Sequence, residues 1–452
     1  MIAADLGKVA EWIGGRLTRG AARAAFRGVS TDSRSLEPGN LFVALSGPRF
    51  DGREFLDDAI ARGASAAIVE HDAPDDFPCL VVDDAAQALG RLGHAWRKRF
   101  GAPVIALTGS NGKTTVKECI AAVLRQRGDA LATRGNLNNE IGVPIMLCEL
   151  DAAHRAAVFE LGANHPGEID YLTRLVEPDV GLVTNAAAAH LEGFGSIEGV
   201  ARAEGGELFT ALPEDAIAVI PTDEPWAELW RDFAGTRRCL TFGRADEANI
   251  RIVSEDPFEL ALAGRIERID FPLPGAHNRA NAAAAAAAAR AAGIDADAIV
   301  AGLAAVRPIG GRLCRCRGPR GSTVFDDSYN ANPGSFAAAF AVLAEAAPRC
   351  WAVVGEMGEL GDETESAHRA LGEQARAAGL ERLWVFGPSR EVTCQAFGPG
   401  AEPVEDLDTL AASLRELLHG DVALLVKGSR SNRLERLVVA LAEGAEEGRH
   451  AV

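Results

Sequence analysis

Thr108-Gly109-Ser110-Asn111-Gly112-Lys113-Thr114-Thr115 follows a short apolar run, Pro103 to Leu107, and precedes a helical pattern beginning at Val116. Strand, glycine-bearing loop, lysine, hydroxyl pair and helix together make a phosphate cradle. Backbone N–H groups and the helix N-terminus favour an anion, Lys113 can neutralise terminal phosphates, and Thr114 can reach a magnesium ion. The order predicts an α/β fold that handles a nucleoside triphosphate. A full-length phosphate-loop pattern has glycine five residues before Gly112, where this chain has Leu107. Its first glycine is Gly109, so the pattern is a shorter G-x-x-G-K-T-T. An ordinary glycine turn could carry so short a pattern; the strand before it and the helix after it argue for the phosphate loop.

Outward from the loop, strands and helices alternate. Ala156–Glu160 and Val180–Thr184 read as strands, and helices are expected at 166–175 and 197–212. A helix is expected over 85–100, and the alanine run 282–289 reads as a strongly helical segment with small side chains, followed by a helix at 296–304. Such alternation implies a parallel sheet covered on both faces. Upstream, 28–33, 41–45 and 66–70 read as short strands and 55–62 as a helix, with a turn at Asp51-Gly52. Downstream of the linker-like Pro308-Ile309-Gly310-Gly311, strands at 323–326, 350–354, 382–386 and 421–426 alternate with helices at 335–346, 368–378 and 407–418. That third region reads as a nucleotide-fold-like α/β unit. The expected organisation is three domains, 1–84, 85–312 and 313–452.

Composition narrows the function classes. At 452 residues and 48% hydrophobic, the chain should be globular. A net charge of −18 argues against a general nucleic-acid or anionic-membrane binder, while local basic sites for anionic ligands stay open. Eight cysteines are scattered without a CxxC pair, which reads as reduced thiols of a cytoplasmic protein rather than a metal site at Cys314-x-Cys316. Neither a signal-peptide pattern nor an uncharged apolar stretch long enough to span a membrane is expected.

Several constellations carry chemistry. Glu160 closes an apolar strand, well placed for magnesium beside the phosphate loop; a solvated strand-end acid is the alternative. His190 also follows a strand and could ligate metal or orient a phosphate, or be structural. Asn136, Asn138 and Asn139 pack amides beside a glycine turn, which suits sugar hydroxyls and acetamido groups, and equally suits turn chemistry. Asn278 and Asn281 open a helix, as caps or as contacts to a purine edge. Asp326-Asp327-Ser328-Tyr329-Asn330-Ala331-Asn332-Pro333 holds more hydrogen-bonding groups than one helix cap needs, and Lys427-Gly428-Ser429-Arg430 sets two cations at a strand end.

Taken together, these motifs resemble the Mur ligase family, over essentially the whole chain. They include Asp32-Ser33-Arg34, Phe50-Asp51-Gly52, TGSNGKTT, GNLNNEIGVP, ELGANHPGEI, HLEGFGS, HNRANAA, DDSYNANP, GEMGELG and KGSR, in family order. The resemblance implies an N-terminal α/β domain holding a uridine diphosphate sugar, a central parallel-sheet P-loop ATPase domain, and a C-terminal Rossmann-like domain closing over nucleotide and incoming amine. It implies ATP and Mg2+, the substrates UDP-N-acetylmuramoyl-tripeptide and D-alanyl-D-alanine, and amide formation through an acyl phosphate with release of ADP and phosphate. Carried over by position, Gly109, Ser110, Asn111, Gly112, Lys113, Thr114 and Thr115 bind the ATP phosphates. Thr114, Glu160 and His190 hold magnesium, Asn278 and Asn281 contact adenine, Arg312 a phosphate and Asp327 the ribose. Lys113, Arg312 and His190 are the expected catalytic residues. Ser33 and Arg34 lie near the uridine, Asn136, Asn138 and Asn139 near the muramoyl part, and Asn330 and Asn332 serve the dipeptide or closure. A monomer without nucleic-acid or membrane partners is the simpler expectation.

Two departures stand out. Most family members carry a carbamylated lysine that helps hold a second magnesium, and it should fall within Val200–Glu207, where this chain has none. Glu204 or Glu207 is expected to supply the carboxylate, unless the metal is held without one. Arg53 stands where the family pattern after Asp51-Gly52 often has histidine. The competing readings are another amide-forming relative, such as a diaminopimelate- or lysine-adding ligase or a folylpolyglutamate synthase, and, in a different class, a phosphate-loop kinase or nucleotide switch.

Overall fold

The computed structural model describes residues 1–48, 50–188 and 191–443. The strand Val104–Thr108 is buried at every position and lies well inside a nine-stranded sheet. Ala156–Glu160 and Val180–Val183 flank it in parallel, and Ala130–Ala132 closes one edge. On the other side Ile217–Pro221, Arg238–Gly243 and Ile250–Glu255 continue the parallel ladder. Phe258–Leu262 and Arg265–Arg268 then add two antiparallel strands. The βαβ reading did not anticipate this extension, because a hairpin needs no intervening helix to betray it.

Residues 282–289 form the middle of the helix Ala276–Ala291, and all eight alanines are at most 1% exposed. They belong to the core shared with Val116, Ile120 and Val123 of the helix after the phosphate loop. Methyl-sized side chains let that long helix lie close against its neighbour, so the run serves packing as well as helix propensity.

The first region holds a five-stranded sheet in the order Arg16–Leu17, Cys79–Val81, Ala66–Val69, Leu41–Val43, Val29–Ser30, parallel except for the first pair. The expected strand at 28–33 is instead Ala25–Arg27 and Val29–Ser30, parted by Gly28 with φ +81°. A second, two-stranded sheet pairs Ala3–Asp5 with Ala25–Arg27. The helix Ala85–Arg97, capped by Asp84 accepting from the Gln87 N–H at 2.8 Å, lends Ala85, Ala88, Leu89 and Leu92 to this core. Farther along, its Arg97 guanidinium donates to the Val176 and Glu177 carbonyls of the central region.

The third region is a six-stranded sheet ordered Cys314–Arg317, Thr323–Asp327, Val422–Lys427, Arg349–Val354, Arg382–Phe386, Ala401–Val404. All neighbours are parallel except the first pair. Helices Pro333–Ala344, Thr364–Ala377 and Arg390–Phe397 feed one buried cluster, and Leu407–Leu417 and Glu435–Leu441 feed another. Among the described residues no helix is long and apolar enough to cross a membrane.

Several helix ends shift by a few residues from the sequence outline, and two helices differ where it bears on the phosphate loop. The one after the phosphate loop starts at Lys113 rather than Val116, because Gly112 takes a left-handed cap conformation (φ +82°) and brings Lys113 and Thr114 into the first turn. The expected helix 197–212 is Ile197–Ala201, a π-helical turn Arg202–Gly206, and Glu207–Ala211. A Cβ at Gly205 would be driven into the Trp230 indole and one at Gly206 into the Phe233 ring. The Trp230 Nε1–H donates to the Ala201 carbonyl at 2.9 Å, satisfying an acceptor at the start of the π turn.

Candidate active site

The phosphate loop leaves its strand through two glycines whose φ angles, +131° at Gly109 and +82° at Gly112, disfavour any side chain. Neither has room for one: a Cβ would meet the Thr184 hydroxyl at Gly109 and the Asn281 amide at Gly112. The neighbouring strand end holds the loop. Ser110 N–H donates to the Asn185 carbonyl at 3.0 Å, Asn111 N–H to Asn185 Oδ1 at 3.0 Å, and Thr184 Oγ1 to the Asn111 carbonyl at 2.7 Å. Thr184 and Asn185 were absent from the sequence-derived candidates; their one signal was their place at the end of Val180–Val183. The first helical bond runs from Val116 N–H to the Gly112 carbonyl at 2.8 Å. The Lys113, Thr114 and Thr115 N–H groups therefore precede the helical ladder, and they form the anion-seeking end of the cradle. The Lys113 ammonium folds back on the Gly109 carbonyl and lies 3.9 Å from Glu204 Oε1.

Glu160 is 4% exposed. Its Oε1 accepts from Asn138 Nδ2 at 3.0 Å, and its buried Oε2 has no hydrogen-bond partner. An orphaned carboxylate oxygen in the same cavity as the Thr114 hydroxyl is what a hard cation would satisfy. Among the described residues no three His, Cys, Asp or Glu groups converge, so an all-protein cage is not formed there. That donor set fits magnesium, which keeps water and takes phosphate oxygens beside one or two carboxylates. His190 lies outside the described residues.

The two glutamates offered in place of a lysine part company. Glu204, 3% exposed on the π turn, accepts from Ser110 Oγ at 3.0 Å and so sits against the phosphate loop. Glu207 instead accepts from the Gly167 N–H at 2.6 Å and the Asp170 N–H at 3.2 Å, at the start of the helix Glu168–Val176. Burial raises its pKa against the pull of those donors. Glu207 is thus spent on a helix N-terminus, which corrects its candidacy.

The end of the central region and the third region both reach the loop. Arg312 Nη2 donates to Thr114 Oγ1 at 3.1 Å, and its guanidinium lies 4.2 Å over the Tyr329 ring. Asn332 Nδ2 donates to Asn111 Oδ1 at 2.7 Å while Asn332 Oδ1 caps the helix Pro333–Ala344 through the Ser335 N–H. Asp327 is committed on both oxygens, to Lys427 Nζ at 2.7 Å and the Leu313 N–H at 3.0 Å. Lys427 also donates to the Asn330 carbonyl at 3.0 Å, and burial pulls its pKa down. Asn278 and Asn281 bond to each other at 3.1 Å, with Asn278 Nδ2 also on the Pro274 carbonyl.

Residues 110–115 of the loop, Thr184, Asn185, Glu160, Arg312, Asp327, Tyr329, Asn330, Asn332, Lys427, Asn278 and Asn281 line one cavity of about 1220 Å3, whereas Gly109, Glu204 and Glu207 stand behind its wall. It exceeds the roughly 300–1,000 Å3 of a single small-molecule site, so it has room for more than one reactant. Asn136, Asn138 and Asn139 line it too, Asn139 Oδ1 accepting from the Gly142 N–H at 2.9 Å. His165, Glu168, Arg244 and Glu359 join them without having been singled out from sequence. Ser33 and Arg34 do not line it. Ser33 is buried in the first region, and the exposed Arg34 pairs with Asp32 at 2.7 Å, which holds the Asp32 carboxyl down at about 2. In that region Asp51 meets His71 Nε2 at 3.0 Å, so a histidine from another element stands beside the Asp51-Gly52 turn that Arg53 follows.

Three family models match: Mur ligase family, catalytic domain, over 25–97; Mur ligase middle domain over 107–289; and Mur ligase, glutamate ligase domain, over 311–430. The chain is 44% identical to the UDP-N-acetylmuramoyl-tripeptide–D-alanyl-D-alanine ligase of Escherichia coli K12, covering 98% of this chain and 99% of that one. It superposes on a crystal structure of MurF from Acinetobacter baumannii with a TM-score of 0.91 and 32% identity, over 97% of this chain and 98% of the other. The MurF ligase of Thermotoga maritima in complex with ADP matches with a TM-score of 0.80 and 28% identity, over 92% and 96% of the two chains.

Proposed function

The chain belongs to the Mur ligase family, and from that premise we propose that it joins D-alanyl-D-alanine to UDP-N-acetylmuramoyl-tripeptide at the expense of ATP. The observation that carries the reading is the shared cavity, where phosphate loop, amide cluster and third-region turn meet. A nucleotide switch needs the first of these and has no use for the other two. Full-length identity to the Escherichia coli ligase supports the choice of substrates.

The chemistry follows from the groups present. A carboxylate oxygen of the tripeptide attacks the γ-phosphorus of ATP, and the bond to the β-phosphate oxygen breaks with its electron pair, releasing ADP. The free amine of the dipeptide then attacks the acyl carbon; the C–N bond forms, inorganic phosphate leaves, and the amine's surplus proton passes to solvent. No side-chain nucleophile is required. The chain contributes positioning and charge neutralisation. The N–H groups of residues 113–115 cradle phosphate oxygens, Lys113 exchanges the Gly109 carbonyl for phosphate, and Arg312, rigidly stacked on Tyr329, faces the same oxygens. Thr114 and Glu160 would hold magnesium, with Glu204 in the carboxylate position otherwise filled by a carbamylated lysine; the ion would neutralise charge developing on the transferred phosphoryl group. Asn278 and Asn281 serve the adenine edge. Asp327, already ion-paired, serves the ribose by orienting Lys427 and the turn around it. Ser33 and Arg34 serve the uridine end, and Asn136 and Asn138 the muramoyl part.

The domain division at 84/85 and 312/313 belongs to the same proposal, supported by the separate sheets, with helix Ala85–Arg97 bridging the first two regions. A monomer and a cytoplasmic setting belong to the same proposal, the latter supported by nucleotide-linked substrates and eight free cysteines.

The test is ADP release with UDP-N-acetylmuramoyl-tripeptide, comparing D-alanyl-D-alanine with single amino acids. Release is expected to require both the sugar-peptide and the dipeptide. Turnover with a single amino acid but not the dipeptide would sink the assignment. In the same assay Lys113→Ala is expected to lower kcat by roughly 10²–10³, the loss typical of one preorganised donor at developing charge.

A further inference from the structure

Behind the cavity wall made by Gly358, Glu359 and Leu360 lies a histidine that the reaction does not use. His368 is 1% exposed on the helix Thr364–Ala377. The Met357 N–H meets its Nε2 at 3.1 Å. A backbone N–H can only donate, so Nε2 is the unprotonated nitrogen and Nδ1 carries the hydrogen. Nδ1–H then donates to Thr393 Oγ1 at 3.3 Å, and the Thr393 hydroxyl passes its own hydrogen to the Ser389 carbonyl at 3.1 Å.

The chain of bonds continues. Ser389 donates from its N–H to Glu356 Oε2 at 2.9 Å and from its hydroxyl to Glu356 Oε1 at 2.6 Å. Asn432 clamps the Glu356 backbone from both sides, accepting from its N–H and donating to its carbonyl, each at 2.9 Å. The Gly358 N–H donates to Ser429 Oγ at 2.9 Å. The imidazole joins the loop after Arg349–Val354 to the helix Arg390–Phe397, and Ser389, Asn432 and Ser429 extend the network to the loops that leave Arg382–Phe386 and Val422–Lys427. Glu356 Oε1 also lies 3.4 Å from His368 Nε2, so the carboxylate that Ser389 holds stands directly beside the ring. Glu359, two residues beyond Met357, holds φ +64°, a conformation that L-residues adopt only where their surroundings impose it.

We propose that His368 is a positioning residue for the incoming dipeptide: its ring fixes the 357–360 wall of the cavity in the conformation that receives the amine substrate. The proposal rests on the ligase reading, which assigns the third region's side of the cavity to that substrate. Among the described residues no hydrogen bond joins the phosphate loop or the Asn136–Asn139 cluster to His368, Thr393, Ser389 or Glu356, so the sites for ATP and sugar-peptide should not register the loss of the ring.

The experiment is steady-state kinetics with all three substrates varied. The wild-type requirement for the dipeptide checks the ligase reading by itself. His368→Leu removes the acceptor at Met357 and should raise KM for D-alanyl-D-alanine at least tenfold, with KM for ATP and for the sugar-peptide within twofold. His368→Gln, whose amide oxygen can accept the Met357 N–H, should recover most of that loss. A folded Leu variant with unchanged dipeptide KM would overturn the proposal, as would all three KM values rising together or Gln being no better than Leu. Should the Leu variant not fold, Thr393→Val carries the same test: it removes the bonds to His368 Nδ1 and the Ser389 carbonyl while leaving every residue of 357–360 in place, and it should raise dipeptide KM at least threefold, an unchanged value overturning the proposal.

Discussion

Glu204 and Glu207 sit three positions apart and do different work. Glu204 faces Ser110 and Lys113 in the phosphate loop, whereas Glu207 accepts two N–H groups at a helix start. Glu204→Gln keeps the size and removes the charge. It should raise the magnesium concentration needed for half-maximal turnover and lower kcat at least tenfold, with little change in Tm. Glu207→Gln should do the reverse, leaving turnover within twofold and costing about 0.5–2 kcal/mol, the usual value of a helix N-terminal acceptor. Magnesium titrations and thermal melts of the two variants separate these outcomes, and a Glu204 variant with wild-type magnesium dependence would remove it from the metal shell. From sequence both glutamates were equal candidates. Helical spacing predicts one face per turn, and a π turn between them changes which face each occupies.

At the scale of elements, that π turn depends on small residues packed against large ones. Gly205→Ala would push a methyl group into Trp230, which is itself fully buried. The expected cost is about 1–3 kcal/mol from overpacking, visible in chemical denaturation, together with a loss of turnover as Glu204 swings from the loop. A second element-level prediction concerns acid. Burial lowers the His368 pKa despite the attraction of nearby Glu356, so the folded protein prefers the neutral ring. The unfolded chain binds that proton more readily, so the stability contributed by neutral His368 is present above pH 6.5, the ordinary histidine value. It is lost as pH falls from there through the depressed folded pKa. Tm measured against pH should drop on the acid side, and His368→Gln should flatten that limb. Some elements were legible in the chain: Ala156–Glu160, Arg382–Phe386 and Ala296–Ala304 match their sequence outlines residue for residue, whereas Ile217–Pro221, Arg238–Gly243 and Ile250–Glu255 of the central sheet were not read. The strand Cys314–Arg317 was not, because alternating cysteine and arginine on an edge gives no apolar run to read.

At the scale of the whole molecule, the third region touches the phosphate loop through Asn332–Asn111, beside the Arg312–Thr114 bond made at the boundary between the regions. Asn332→Ser keeps a good helix cap and is too short to reach Asn111. It should raise KM for ATP several-fold and increase the radius of gyration without nucleotide in small-angle scattering, with Tm nearly unchanged; an identical scattering curve and KM would show that the contact does not hold the regions together. Sequence alone determined the phosphate loop, the three α/β regions, the family and the identity of most cavity-lining residues, because short-range patterns of glycine, apolar alternation and ordered motifs carry that information locally. Tertiary structure decided which glutamate meets Lys113, that Asp327 is bound to Lys427, that Asn332 spans two regions, and that His368 braces a cavity wall. Those outcomes join residues 94, 198 and 221 positions apart at Ser110–Glu204, Thr114–Arg312 and Asn111–Asn332. The side-chain geometry of such pairs exists only once helices and sheets have packed, and no periodicity along the chain records it.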